Sequence, residues 1–368
     1  MKEFSLFNWD NISIDVPTIH GNEKLFLWSN PDISQLEEIL YLSLKNDFSL
    51  EERLENFQEI WIKPNITGIN RPEEGKTSHP VILDKLIIVL KKFTSKKIVV
   101  ADSSVIGIDT KTAAISTGIF EICEKHEIPF MDLREVPFKK VKVENHLIHS
   151  ELYINEPFVD DKVFKINLAK IKTTYGSPVG MCVKNTKGII TDELKYSFHI
   201  KGLQKSICDL AETVKWDLSV IEGFPISELG QPGGNGPFGI STNPVVLDFL
   251  ICLIFKVPLS DIFHIEYLAE KLQISESLLK NNKIINQIID LFGEIRYSSN
   301  GLKILEEKFG LIMENGDACS GCVESLAKAL KKSNPESLNQ KKIILGAQFN
   351  DSLLHCTSKD SINCFVGN

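Results

Sequence analysis

Val163-Phe164-Lys165-Ile166-Asn167-Leu168, continued by Ala169-Lys170-Ile171-Lys172, decides the fold. An apolar run of this kind reads as the central strand of a parallel sheet, and the polar residues that close it fall at the sheet's ligand-binding edge. Two upstream runs end the same way. Glu59-Ile60-Trp61-Ile62 leads into Lys63-Pro64-Asn65, and Lys97-Ile98-Val99-Val100-Ala101 leads into Asp102-Ser103-Ser104. Strand ends of a parallel α/β sheet lie along one edge, so residues far apart in the chain converge there on one ligand.

Working outward, strands alternate with helical patterns. A polar loop after Ile62 reaches Ser78, and a helix runs from His79 through Phe93 with Pro80 in its first turn. A helix is expected from Asp109 to Lys125 and a strand over Pro129-Phe130-Met131-Asp132-Leu133. Lys140 to Val143 and Glu151 to Ile154 alternate and are expected to pair. After the central strand come a loop rich in Gly, Pro and Lys, a helix from about Ile200 to Val214, and a strand over Asp217 to Ile221. Residues 230–239, GQPGGNGPFG, read as a break, followed by a helix from Pro244 to Phe255. Upstream, Pro31-Asp32-Ile33-Ser34 opens a helix through Leu36, Ile39, Leu40 and Leu42. Near the end, Leu311 to Met313, a helix from about Cys322 to Lys332, and Lys342 to Leu345 repeat the βαβ pattern, with a terminal strand starting at Cys364. The expected fold is α/β: a mostly parallel, doubly wound mixed sheet with helices on both faces and a C-terminal βαβ extension. The expected organisation is a peripheral N-terminal segment (1–58), an α/β core (59–255) and a C-terminal α/β extension (256–368) continuous with it.

Composition narrows the function classes. The 368 residues suit one large α/β domain or one with an appended lobe, and 43% hydrophobic with 24% charged residues is ordinary globular chemistry. A net charge of −8 argues against non-specific nucleic-acid binding, though not against a local basic pocket. The start, Met1-Lys2-Glu3-Phe4-Ser5, has no secretory h-region, so the expected location is the cytoplasm. The most apolar stretch, Val245 to Leu259, contains Asp248 and Lys256, falls short of the roughly 20 residues that span a bilayer, and reads as a buried helix.

The strand-end clusters supply a candidate site. Lys63, Lys170, Lys172, Lys184 and Lys187, with Asn65, Ser103, Ser104 and Asn185, are suited to holding a small phosphate- or carboxylate-bearing molecule. His79, Asp102 and His199 are the acid/base candidates. Gly234-Asn235-Gly236-Pro237-Phe238-Gly239 matches a dinucleotide fingerprint only formally, because it does not directly follow a strand or open a helix. Glu222 and Glu228 flank that loop and read as solvated loop carboxylates, with acid/base groups as the alternative.

The ordered series Lys63-Pro64-Asn65, Ser78-His79-Pro80, Asp102-Ser103-Ser104, Asn167 to Thr173, Val183-Lys184-Asn185-Thr186-Lys187-Gly188 and Phe198-His199 resembles the DUF362 family of uncharacterised proteins over roughly residues 60 to 250. The resemblance implies an α/β protein of cytoplasmic type without an established general activity. Some relatives carry a ferredoxin-like iron-sulfur segment with four closely spaced cysteines, and this sequence has no such run. It also has Thr174 where the Lys-Thr motif is often followed by His, which counts against metal binding there.

A second constellation is Asp317-Ala318-Cys319-Ser320-Gly321-Cys322, a C-x-x-C pair at the start of an expected helix. Cys319 and Cys322 suit a thiol redox couple, or two ligands of zinc or an iron-sulfur cluster with His355 or Cys356 recruited; helix capping by Asp317 and a buried Cys322 is the structural alternative. Cys123, Cys182, Cys208 and Cys252 read as core residues. Three functions compete: an enzyme acting on a small anionic metabolite, a redox or iron-sulfur protein, and a non-catalytic binding or scaffold protein on an enzyme-like fold.

Overall fold

The computed structural model describes residues 11–174, 177–274 and 301–316, with positions 286, 290, 292, 323, 326, 327, 329, 330, 332, 342–346 and 362–365. Its strands in chain order are β1 (Asn11–Thr18), β2 (Gly21–Trp28), β3 (Glu59–Lys63), β4 (Lys97–Asp102), β5 (Phe130–Asp132), β6 (Phe138–Lys142), β7 (Glu151–Asn155) and β8 (Val163–Thr174). They continue with β9 (Ser177–Gly180), β10 (Leu218–Glu228), β11 (Gln231–Pro232), β12 (Phe238–Ser241), β13 (Ile312–Gly316), β14 (Lys342–Gly346) and β15 (Ile362–Phe365).

The main sheet has the order β1-β2-β12-β10-β8-β3-β4-β5, with β9 on β8 and β11 on β10. From β10 through β8, β3 and β4 to β5 every neighbour is parallel, whereas β12, β2 and β1 add an antiparallel margin. The chain lays down β3, β4 and β5 in one direction, then returns to place β8 and β10 on the other side of β3. The order therefore reverses between β3 and β8, where Lys63 pairs with Asn167. Ligands in open α/β sheets bind beyond the strand carboxyl ends at such a reversal.

Strand alternation sends side chains to opposite faces. Ile60, Ile62, Ile98, Val100, Ile166, Leu168, Leu218 and Val220 pack in one core with the helices Leu36–Asn46, Pro80–Phe93 and Ile119–Lys125. Trp61, Val99, Ala101, Ala169, Ile171 and Ile221 face the other, with Leu203–Thr213, Pro244–Ile254 and Phe263–Lys271. Each fully buried Leu or Ile in these layers contributes on the order of 2 kcal/mol. The expected doubly wound α/β architecture, with helices on both faces, is present. A hairpin of β6 and β7 and a parallel three-stranded sheet, β13-β14-β15, stand apart from the main sheet.

Several elements differ from expectation. Residues 11–28 join the sheet through β2 and β12. The helix expected over 109–125 is divided into Thr110–Ser116 and Ile119–Lys125, because Gly118 takes a left-handed conformation (φ 74°) that L-residues resist. The loop expected before Ile200 contains the helix Asp192–Lys201. The glycine-rich break holds β11 and the first residues of β12, whose Phe238 pairs with Glu222 and Trp28. Among the described residues no helix is long and apolar enough to cross a membrane.

Candidate functional site

At the reversal, the carboxyl ends of β3 and β4 are joined by an ion pair, Lys63 Nζ to Asp102 Oδ1 at 2.7 Å, with both side chains sealed from solvent. Lys63 Nζ also donates to Pro64 O and Asn185 Oδ1, each at 3.0 Å, so its N–H groups are all engaged. Burial pulls the Lys63 pKa down, and Asp102 opposes that pull. Asp102 in turn accepts from Ile66 N at 2.7 Å and Ser103 N at 2.8 Å. Gly188 closes over the pair: a Cβ there would fall 2.6 Å from both Lys63 Nζ and Asp102 Oδ1.

Three asparagines extend the network. Asn185 Nδ2 donates to Asn167 Oδ1 at 2.8 Å, Asn65 Nδ2 to Asn185 Oδ1 at 2.8 Å, and Asn167 Nδ2 to Cys182 O at 2.9 Å. Asn185 ends the short helix Cys182–Asn185, whose first amides, Cys182 N and Val183 N, donate to Asp248 at 2.9 and 2.8 Å. Asp248 is fully buried on the helix Pro244–Ile254; burial pushes its carboxyl up to about 7, outweighing the two amide bonds. The loop carrying Asn65 is held to β8 through Ser78, which accepts from Asn65 N at 2.8 Å and donates to Leu168 O at 2.9 Å.

On β8 and β10, register sets a second buried pair. Lys170 lies opposite Glu222, and Lys170 Nζ reaches Glu222 Oε2 at 2.9 Å and Phe224 O at 2.9 Å, with neither side chain exposed. Glu222 also accepts from Phe224 N at 2.8 Å and His79 N at 3.0 Å. It is therefore no solvated loop carboxylate; β10 runs on to Glu228 instead of stopping at Ile221 and carries Glu222 inside. His79 is the N-cap of the helix Pro80–Phe93: Nδ1 accepts from Val81 N at 3.3 Å, and burial lowers the imidazole's pKa.

Lys172 has different company. Its Nζ donates to Asn65 Oδ1 at 2.6 Å and to Lys76 O at 3.1 Å, and no carboxylate among the described residues pairs with it. Burial first, then the charges of Lys184 and Lys63, push its amine down to about 7. Gly180, opposite Lys172 in the β8–β9 register, brings two lysines together: a Cβ there would sit 3.5 Å from Lys172 Cγ and 3.7 Å from Lys184 Cδ.

Lys187 Nζ approaches His199 Nε2 at 2.7 Å. Burial, followed by the charges of Lys187 and Lys184, drives the His199 pKa down to about 3, so the imidazole is neutral near pH 7. Its Nδ1 is buried without a hydrogen-bond partner among the described residues. Ser103 Oγ donates to Gly188 O at 2.6 Å and accepts from Lys195 Nζ at 2.5 Å, while Lys195 pairs with Asp192 at 2.9 Å. Ser104 Oγ donates to Ile108 O at 2.6 Å, and Arg134 braces that loop through Thr110 Oγ1 at 2.6 Å, Ser104 O at 2.9 Å and Asp192 Oδ2 at 2.8 Å.

The structure thus gathers Lys63, Asn65, Asp102, Ser103, Asn185 and Lys172 into one bonded network, with Lys170 and His79 joined through Glu222. Lys195, Asp192, Arg134 and Asp248 were not among the expected site residues. Thr191-Asp192-Glu193, a cap followed by acidic residues, is a helix-start signal that points to the first two. Cys319, Cys322, His355 and Cys356 lie outside the described residues. Among those described, no group of His, Cys, Asp and Glu is arranged to hold a metal ion. Cys123, Cys182, Cys208 and Cys252 are buried thiols with pKa values raised by burial, Cys123 to about 12. A separate depression of about 490 Å³, lined by residues such as Lys91, Lys97, His126 and Pro129, opens near the starts of β4 and β5 and shares no residue with the lysine cluster.

A family model described as a domain of unknown function, DUF362, matches residues 60–252. Comparison with curated proteins gives no match. A structural-genomics crystal structure of a Thermotoga maritima protein is similar at 12% identity and a TM-score of 0.29, over 52% of this chain and 51% of that one, so the similarity spans about half of the neighbour's length.

Proposed function

This chain belongs to the DUF362 family, whose model covers just over half of it, and from that premise we propose that it is an enzyme binding a small anionic metabolite at the lysine-lined sheet edge. The observation that carries the proposal is the convergence of Lys172 and Lys184 beside Gly180, with Lys184 depressing the Lys172 pKa. A phosphate or carboxylate placed beside Lys184 relieves the like-charge repulsion between the two lysines.

Within this proposal Lys172, Lys184 and Lys187 contact the anion, while Asn65 and Asn185 supply directional hydrogen bonds. Lys63 and Lys170 have their charges matched by Asp102 and Glu222, so they position the site and do not meet the ligand. The same holds for Ser103 and Ser104, tied to Gly188 and Ile108. His199, driven to about 3 and so neutral, accepts from Lys187 through Nε2 and orients that lysine.

The test is a thermal-shift panel of inorganic phosphate, a phosphomonoester and small mono- and dicarboxylates, run on the full chain and on Lys172→Ala. At ligand concentrations 100-fold above Kd, binding adds about 2.7 kcal/mol, which raises Tm by roughly 5 °C for a chain of this size. Expected is such a rise in the wild type and its loss in the variant. No rise with any anion, or an equal rise in both proteins, overturns the proposal.

A further inference from the structure

Three buried or half-buried lysines of the cluster differ in how their nitrogens are satisfied. Lys63 has three acceptors, one of them a carboxylate at 2.7 Å. Lys170 has a carboxylate and a carbonyl, both at 2.9 Å. Both are built as ammonium ions. Lys172 has two neutral carbonyl-type acceptors, Asn65 Oδ1 at 2.6 Å and Lys76 O at 3.1 Å. An ammonium group carries three N–H donors and no lone pair, whereas a neutral amine carries two N–H donors and one lone pair. Lys170 also has two acceptors, but one is a carboxylate; Lys172 has none among the described residues, and its two neutral acceptors take both N–H bonds of an amine.

The acceptor that orients Lys172 is itself fixed. Asn65 Nδ2 donates to Asn185 Oδ1 at 2.8 Å, and Asn185 Nδ2 donates to Asn167 Oδ1 at 2.8 Å, so the Asn65 amide cannot flip without losing partners on both sides. Asn65 therefore presents its carbonyl oxygen, not its amide nitrogen, to Lys172. The charged groups acting on Lys172 are Lys184, Lys63 and Lys170, which oppose its protonation, and Asp102, which favours it. With burial, they set its amine near 7. At neutral pH a large fraction is then unprotonated, against roughly one part in a few thousand for a solvated lysine near 10.4.

We propose that Lys172 is a catalytic nucleophile that forms an imine with a small carbonyl compound bearing a carboxylate or phosphate, whose anionic group faces Lys184. The inference rests on the anion-binding proposal and deepens it by naming the reacting group. In the step, the Lys172 lone pair forms a C–N bond to the carbonyl carbon, and protons from the amine pass to the former carbonyl oxygen. The C–O bond then breaks and one water leaves, giving the imine with no oxidant or reductant consumed. Asn65 is a positioning residue, holding one amine proton on its Oδ1 while Lys76 O holds the other.

The test uses glyoxylate, which carries a carboxylate and an aldehyde, with borohydride reduction and peptide mapping of the full chain between pH 6 and 9. At pH 7, carboxymethyl label on Lys172 is expected to exceed that on any other lysine by tenfold or more, with half-maximal labelling near pH 7. Asn65→Ala should move that midpoint downward, because the lost acceptor stabilises the ammonium form more than the amine, while leaving label on Lys172. Because the main result comes from the unaltered protein, misfolding of a variant does not compromise it. Label spread over exposed lysines, or absent from Lys172, overturns the imine proposal. Glycolate, of similar size but without the carbonyl, separates the two claims: if it raises Tm while glyoxylate fails to label Lys172, anion binding stands and the nucleophile falls; if neither acts, both fall.

Discussion

Replacing Asp102 with Ala removes the carboxylate from Lys63 Nζ and strips the acceptor from two backbone amides, Ile66 N and Ser103 N. Breaking a buried ion pair by deleting one partner costs about 3–5 kcal/mol, and each unsatisfied amide adds about 1–3 kcal/mol. Lys63 retains Pro64 O and Asn185 Oδ1 and can shed its proton, which limits the total; a loss of about 5 kcal/mol is expected, or a Tm drop on the order of 10 °C. Lys63→Met alone leaves Asp102 supported by its two amides and should cost about 3 kcal/mol. The double variant has no orphan ion, so it should lose about 5 kcal/mol instead of the additive 8 or so, a coupling of about 3 kcal/mol. Urea unfolding of the four proteins measures the cycle. An additive double variant, or an Asp102→Ala loss under about 1 kcal/mol, would refute the claim that this pair is the sealed strut between β3 and β4.

Other consequences follow from neighbouring groups. Gly188→Ala places a methyl 2.6 Å from Lys63 Nζ and Asp102 Oδ1, so urea unfolding should register a loss of about 1–3 kcal/mol from overpacking. Asp248, raised by burial to about 7, contributes stability that is present below the unfolded value near 3.8 and is lost as pH rises through about 7. Compared with Asp248→Asn, the wild type should lose stability between pH 4 and pH 7, read from melting temperatures of both proteins. His199, driven to about 3, contributes stability present above the unfolded value near 6.5 and lost as pH falls toward 3. Its imidazole proton signals should stay constant between pH 5 and 8 in an NMR titration, and a midpoint near 6.5 would contradict the burial argument.

The frame is legible in the sequence because strand cores are contiguous. Ile60 to Ile62, Ile98 to Ala101 and Val163 to Leu168 are apolar runs closed by polar residues, and all three became adjacent parallel strands. β1 and β12 are among the strands that local sequence hides, for different reasons. The alternation Ile12-Ser13-Ile14-Asp15-Val16 is a strand signal within β1 that lay in a segment treated as peripheral. The glycines of residues 230–239 masked β12, whose pairing with β10 and β2 supplies what local propensity lacks. At the site, residue types were legible and their partnerships were not. Lys170 meets Glu222 because β8 and β10 share a register, and Lys63 meets Asp102 because β4 follows β3 across the sheet. Nothing in one segment alone shows that two of the lysines are neutralised internally while Lys172 is left with carbonyls. His79, an acid/base candidate by residue type, caps a helix, since the same ring nitrogen that accepts a proton also accepts an amide hydrogen bond.

The most direct measurement is a calorimetric titration of the full chain and of Lys172→Ala with the anion that gives the largest thermal shift. If the sheet edge is an anion site built on Lys172, the wild type binds, and the variant, still folded, loses at least tenfold in affinity, about 1.4 kcal/mol. Equal heats and equal affinities in the two proteins would place the ligand elsewhere and contradict the proposed site.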